Sequence, residues 1–283
     1  MKNLDFSHLN GKVCIITGGA GIIGRSICEV LAKVGIKTAI LDQNVAAACD
    51  LASELTRKFG TFFMGIEADV LSRESLVKAH DRVTAELGSV DFLINGAGGN
   101  SPDATTRVEQ IINDGDLLYK DTFFGLDIQS FDKVFALNFS GTILPTMIFA
   151  KDMVQRGEGV VLNISSMNSF RPLTKIPAYS AAKASINNFT QWLAVHLAKT
   201  GVRVNAVAPG FFLTNQNRFL MVDEKTGKPT ARGKKIISNT PVGRYGQPDD
   251  LQGAVLFLLS GMSSFITGVV LPVDGGYSAF GGV

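Results

Sequence analysis

Residues 12–27 read "KVCIITGGAGIIGRSI", and the reading of this stretch decides the fold. Its opening run, KVCIIT (12–17), is β-branched or apolar and too short for a helix, so it reads as a buried strand. The glycines that follow, Gly19, Gly21 and Gly24, fit G-x-G-x-x-G, and beyond them the apolar spacing becomes helical over 24–34. A strand that enters a glycine turn and leaves as a helix has a physical use. Small residues let the backbone turn sharply and approach a pyrophosphate, while the helix offers unpaired N–H groups and its positive dipole end. Asp42 stands 18 residues after Gly24, at the end of the next strand-like run, KTAILD (37–42). A carboxylate there accepts hydrogen bonds from both adenosine ribose hydroxyls and repels a 2′-phosphate. Gln43 and Asn44 follow it and supply no cation for a phosphate. The expected cofactor is therefore NAD, in preference to NADP.

Working outward, the same alternation continues along the chain. DFLING (91–96), GVVLNIS (159–165), VRVNAVAP (202–209) and GVVLPVDGG (268–276) read as further strands, with TFFMGIEAD (61–69) a less clear one. Amphipathic stretches at 44–58, 73–87, 131–156, 179–199 and 249–260 separate them. The expected fold class is α/β: a single Rossmann-type doubly wound parallel sheet of about seven strands with helices on both faces. No linker or internal repeat divides the chain, so residues 1–283 read as one domain. Two regions read as loops, 99–130 and 211–240, and long loops at the carboxyl ends of parallel strands build binding sites.

Composition narrows the function. A net charge of +2 gives no global field for nucleic acid or an anionic membrane. No apolar signal core begins the chain and no run reads as a membrane span, so neither a nucleic-acid nor a membrane partner is expected. Cys14, Cys28 and Cys49 form no close pair, which points to reduced thiols in the cytoplasm. His8, His80 and His196 lack metal-ligand spacing, so no metal is expected.

A second stretch, AYSAAKASI (178–186), sets Tyr179 four residues before Lys183, on one face of a helix. An ammonium beside a phenol favours phenolate and is expected to lower the Tyr179 pKa, fitting it for proton exchange with an alcohol. The plainer reading is a core stripe, since Tyr179, Lys183, Ile186, Thr190, Leu193 and Leu197 recur at helical spacing.

Taken together these motifs resemble the short-chain dehydrogenase/reductase family along essentially the whole chain. Thr17, Gly18 and Gly24 match its first-turn signature, with Ile22 at the middle glycine position and Gly21 one residue earlier. The resemblance implies cofactor contacts from Gly18, Gly21, Ile22, Ile23, Gly24, Asp42 and Gln43. It adds Asp69 and Val70 of "ADV", Asn95, Gly96 and Ala97 of "NGAG", and Pro209, Gly210, Phe212 and Thr214 of "PGFFLT". It also implies a catalytic set of Asn138, Ser166, Tyr179 and Lys183, with Ser166 chosen over Ser165 by its distance from the tyrosine. In that set Tyr179 is the acid/base, Lys183 also holds the nicotinamide ribose, and Asn138 holds a relay water.

Within the family the strings "NGAGGNSPDATT", "SSMNSFRPLTKIPAYS" and "APGFFLTNQNR" resemble the D-mannonate oxidoreductases (fructuronate reductases). That likeness implies a small sugar-acid substrate, whose carboxylate wants a cation and whose hydroxyls want amides. Asn100, Ser166, Asn168, Arg171, Lys175, Asn215 and Arg218 are the substrate-binding candidates, Arg171 first among the cations. Another sugar-acid or polyol reductase such as a gluconate 5-dehydrogenase, a 3-ketoacyl reductase, and a non-catalytic nicotinamide sensor are the competing readings. Helices at 131–156 and 179–199 carry apolar residues such as Phe149, Met153, Phe189 and Trp192, and resemble those that pair in the family's dimers and tetramers. A homo-oligomer is expected.

Overall fold

β1 (Val13–Thr17) is buried at every residue, and its side chains divide between two cores. Cys14 and Ile16 pack on one face with α1 (Ile22–Lys33) and α2 (Val45–Phe59), while Val13 and Ile15 pack on the other. A strand covered on both faces cannot alternate apolar with polar, which is why KVCIIT is a continuous apolar run. The computed structural model describes residues 5–112, 119–213, 218–223 and 226–282. β2 (Lys37–Asp42), β3 (Phe63–Glu67), α3 (Arg73–Leu87) and β4 (Phe92–Asn95) complete the first half. The second half runs α4 (Ile128–Phe135), α5 (Gly141–Arg156), β5 (Gly159–Ile164), α6 (Pro177–His196) and β6 (Val202–Pro209). It ends with α7 (Arg218–Met221), α8 (Ala231–Ser238), α9 (Gln252–Leu259) and β7 (Val270–Val273).

The strands form one parallel sheet in the order β3-β2-β1-β4-β5-β6-β7. Chain direction across the sheet reverses between β1 and β4, and a crevice opens at the carboxyl ends of that pair. The register brings Thr17 level with both Leu41 and Asn95, and Asn95 level with Asn163. Helices α1, α2 and α9 cover one face; α3, α5 and α6 cover the other.

Four expectations change, the first being that the region 211–240, read as a loop, carries the short helices α7 and α8. The single helix read over 131–156 is two, α4 and α5, joined by a π-helical turn at Ala136–Ser140. Such turns insert one residue into the ladder and commonly mark functional positions. That combined helical run, Ile128–Arg156, is long and apolar enough to span a membrane by length and composition, contrary to the sequence reading. Half of its apolar window is buried, and Phe149, Ala150 and Met153 lie in the sheet core. The loop over 99–130 has packed anchors: Ala104 lies fully buried against Val134 and Ala178, beside Tyr179.

Candidate active site

The first turn is shaped by contacts that exclude side chains. Gly18 has φ +65°, and a Cβ there would lie 2.7 Å from Ala97 Cα. A Cβ on Gly24 would meet Gly18 O and Gly19 Cα at 2.6 Å. Thr17 Oγ1 accepts from the backbone N–H of Gly96 (3.1 Å) and Ala97 (3.2 Å), fastening the "NGAG" segment to the turn. Gly21 is the N-cap of α1, so Ile22, at the family's middle glycine position, is simply the helix's first residue. The backbone approach needs glycine at 18 and 24, and tolerates isoleucine at 22.

Asp42 closes one end. Its carboxylate accepts from the N–H of Ala20 (3.2 Å) in the glycine turn and from Asn44 N–H (3.0 Å). Arg25, the cation next to the glycine turn, is paired with Glu54 instead. A cleft of about 560 Å³ runs from Asp42, Gln43 and Asn44 past Gly18, Gly21, Ile22, Ile23 and Gly24. Val70, Gly96, Ala97, Pro209 and Gly210 line it, and it ends at Ser166, Tyr179 and Lys183. Among its described lining residues Lys183 is the one cation. A glycine-lined backbone cradle with a carboxylate at its far end fits a dinucleotide.

At the other end, α6 turns one face inward. Lys183, Ile186, Thr190 and Leu193 are buried, so the core-stripe reading holds for the helix body. At its head the same face carries the chemistry. Lys183 Nζ donates to Ile164 O (2.8 Å) and stands 5.6 Å from the centroid of the Tyr179 ring. Burial holds the Lys183 pKa down to about 8. Burial also pushes the Tyr179 phenol above its ordinary value, and a hydrogen bond with Ser166 pulls the other way. This reverses the expected fall. Lys183 is set over the ring and committed to a carbonyl, and desolvation outweighs what the phenolate gains.

Ser166 leaves β5 in extended conformation and accepts the Asn168 N–H on its Oγ (3.2 Å). That bond occupies an acceptor site and leaves the hydroxyl proton for the phenol or a substrate oxygen. Ser165 also lines the cleft, but its hydroxyl is held by the Asn187 side chain. Structure thus separates the two serines independently of spacing.

Other expected residues stand elsewhere. Asn138 lies behind the cleft in the π turn, fully buried. Its amide donates to Gly99 O (2.7 Å) and Val134 O (2.8 Å) and accepts from Gly99 N–H (3.3 Å). Asn95 does not line the cleft; its amide nitrogen donates inside the protein to Thr146 and Asn163. The Asp69 carboxylate accepts from Leu71 N–H before α3, while its neighbours Ala68 and Val70 line the cleft. Phe212 is buried and packs on Gly246, lining a separate hollow with Thr240 and Asp250.

The substrate candidates are equally divided. Asn100 is exposed and donates to Thr105 Oγ1. Asn168 is buried, and its Oδ1 has no hydrogen-bond partner among the described residues. Arg171 is exposed and donates to Phe280 O, tying the loop after Ser166 to the carboxyl-terminal segment. Lys175 adopts φ +76°, with its carbonyl accepting from Thr106 N–H (2.8 Å). Arg218 begins α7 on the surface. Thr214, Asn215, Gln216 and Asn217 lie outside the described residues. Sequence reasoning missed Gly98, Gly99, Leu137 and Ser165 as cleft residues and Asn187 behind them. Only the run of small residues in "NGAGG" hinted at any of these.

A family model described as short chain dehydrogenase matches residues 12–225. An uncharacterized oxidoreductase of Bacillus subtilis, UxuB, is 46% identical over 277 residues, 98% of each chain. A crystal structure from Haemophilus influenzae, provisionally named a D-mannonate oxidoreductase and containing bound NAD, is 47% identical. It superimposes with a TM-score of 0.92 over 98% of this chain and 99% of its own. The 3-oxoacyl-acyl-carrier-protein reductase FabG of Aquifex aeolicus is 34% identical over 268 residues, 95% of this chain and 98% of its own.

Proposed function

The chain belongs to the short-chain dehydrogenase family, and from that premise we propose that it is an NAD-dependent oxidoreductase interconverting D-mannonate and D-fructuronate. The observation that carries the oxidoreductase reading is one continuous cleft, with a carboxylate at one end and Ser166, Tyr179 and Lys183 at the other. NAD, when bound, supplies or accepts the hydride. Gly18, Gly21 and Gly24 would hold its pyrophosphate, and Asp42 its adenosine ribose. Tyr179 donates its phenolic proton to the carbonyl oxygen during reduction and recovers it during oxidation. A phenol whose pKa is raised stays protonated at neutral pH, the form that can donate to a carbonyl oxygen. Ser166 holds the same substrate oxygen, since its acceptor side is already taken by Asn168 N–H. Lys183 faces both the phenol and the ribose position. Asn138 fixes the Gly98–Gly99 backbone that walls the site.

The substrate reading draws on the Haemophilus structure and on the rim of the site. A carboxylate binds an arginine more strongly than a backbone carbonyl does, so a sugar acid would take Arg171 from Phe280 O. The 34% likeness to an acyl reductase extends over the same chain length, so likeness at that level does not choose a substrate. Purified protein, assayed at 340 nm with NADH and with NADPH, should reduce D-fructuronate with NADH and leave D-fructose unreduced. Equal rates on both sugars would sink the acid reading, and equal kcat/KM for the two cofactors would sink the assignment to NAD.

Assembly as a homo-oligomer is part of this proposal. Phe135, Phe139, Phe189, Trp192 and His196 form a chain of ring contacts that runs from α4 through the π turn to α6, with Trp192 exposed. A monomeric mass by light scattering at micromolar concentration would contradict it. The three cysteines are free thiols, in keeping with a reducing cytoplasm.

A further inference from the structure

We propose that Asn187 is a positioning residue that locks the Ser166 loop onto the helix bearing Tyr179 and Lys183. Asn187 lies four residues beyond Lys183 and eight beyond Tyr179, on the same face of α6. Its side-chain oxygen accepts the Ser165 hydroxyl at 2.5 Å, and its nitrogen donates to Ser169 Oγ at 2.7 Å. Ser169 Oγ in turn donates to Ser166 O at 2.5 Å. One amide therefore grips the loop on both sides of Ser166, and every hydroxyl proton in the chain points the same way. The loop needs this. Ser166 sits past the end of β5, beyond the ladder that fixes the strand, and a catalytic group displaced by about 1 Å loses roughly a hundredfold in rate. On the opposite side Lys183 Nζ holds Ile164 O, so α6 fastens the end of β5 and the loop through two side chains one turn apart.

This inference rests on the role of Ser166 proposed above, and the test separates the two. Asn187→Ala should lower kcat for D-fructuronate roughly ten- to a hundredfold, leave the KM for NADH unchanged, and enlarge the primary isotope effect from deuterated NADH. In a Ser166→Ala background the same substitution should cost less than about threefold, because a residue that acts through Ser166 has nothing left to position. Ser169→Ala, which removes only the last link, should reproduce the loss in milder form and serves if Asn187→Ala does not fold. An equal loss in both backgrounds, or no loss in the wild-type background, overturns the positioning role while the oxidoreductase reading stands. Full activity of Ser166→Ala would overturn the role of Ser166 first, and the inference with it.

Discussion

The two ends of the cleft are built on different principles. The cradle end is made of backbone: Gly18, Gly24 and Ala97 meet at contact distance within two short segments, and Thr17 joins them. The other end is made of side chains from separate segments, Ser166 after β5 and Tyr179 and Lys183 on α6. Outside the cleft lining, Arg171 reaches Phe280 O, and Lys235 of α8 pairs with Glu109 of the 99–130 segment at 2.7 Å. A backbone cradle is rigid and specific for a shape common to many dehydrogenases. A rim of exchangeable side chains can be retuned without touching the chemistry.

The sharpest way to test that division is to remove chemistry from between the two ends. Tyr179→Phe deletes only a proton donor, so kcat should fall by about 10²–10⁴ while NADH titrated by fluorescence binds almost as before. A variant retaining more than about a tenth of wild-type kcat would take Tyr179 out of the mechanism.

Breaking the cradle should give the converse. In Gly18→Ala the new Cβ has both an unfavourable φ and a backbone neighbour at 2.7 Å. Strain of order 1–3 kcal/mol predicts NADH affinity weaker by roughly ten- to a hundredfold, with a fold intact by circular dichroism. Unchanged NADH affinity would mean the turn yields, and the contrast with the rim would fail.

At the rim, Arg171→Gln should lower kcat/KM for D-fructuronate by about tenfold, the low end for a lost charge-assisted hydrogen bond, and leave the KM for NADH alone. If NADH binding falls as well, Arg171 serves the cleft as a whole through the carboxyl-terminal segment.

The smallest expected effect is on stability. Burial lowers the Lys183 pKa to about 8 in the folded protein, against 10.5 for an ordinary lysine. Between those values the unfolded chain binds a proton that the folded chain does not, so the stability contributed by this group rises as pH climbs through that window. Below pH 8 its cost is fully present. Lys183→Met should therefore melt a few degrees higher than wild type at pH 7, and the difference should shrink between pH 8 and 10.5. A difference independent of pH would show that lost packing, and not the charge, sets the change.

Legibility in the sequence followed the same division. Gly18, Gly24 and Asp42 could be read because their functions depend on distances of a few residues along one βαβ unit. Tyr179 and Lys183 were legible for the same reason, being one helical turn apart. Asn95 misled, because its match to a signature says where the backbone runs and not which way the side chain turns. Its amide is spent on Thr146 and Asn163 across the sheet interior. The Tyr179 pKa misled too, since proximity of a lysine can be read from spacing whereas burial cannot.

The sequence by itself determined the alternation of strands and helices, the strand–glycine turn–helix and the Tyr–Lys pair. Each is encoded in local periodicity or in a short fixed spacing. Tertiary structure supplied the physical reason for preferring Ser166, since Asn187 holds the Ser165 hydroxyl, and it alone decided that Asn138 sits in a π turn clamping Gly99 and that Arg171 is held by Phe280 O. Those outcomes depend on which donors and acceptors meet across residues as far apart as 171 and 280. A hydrogen bond is satisfied by whatever partner the packing brings to it, and sequence spacing carries no record of that choice.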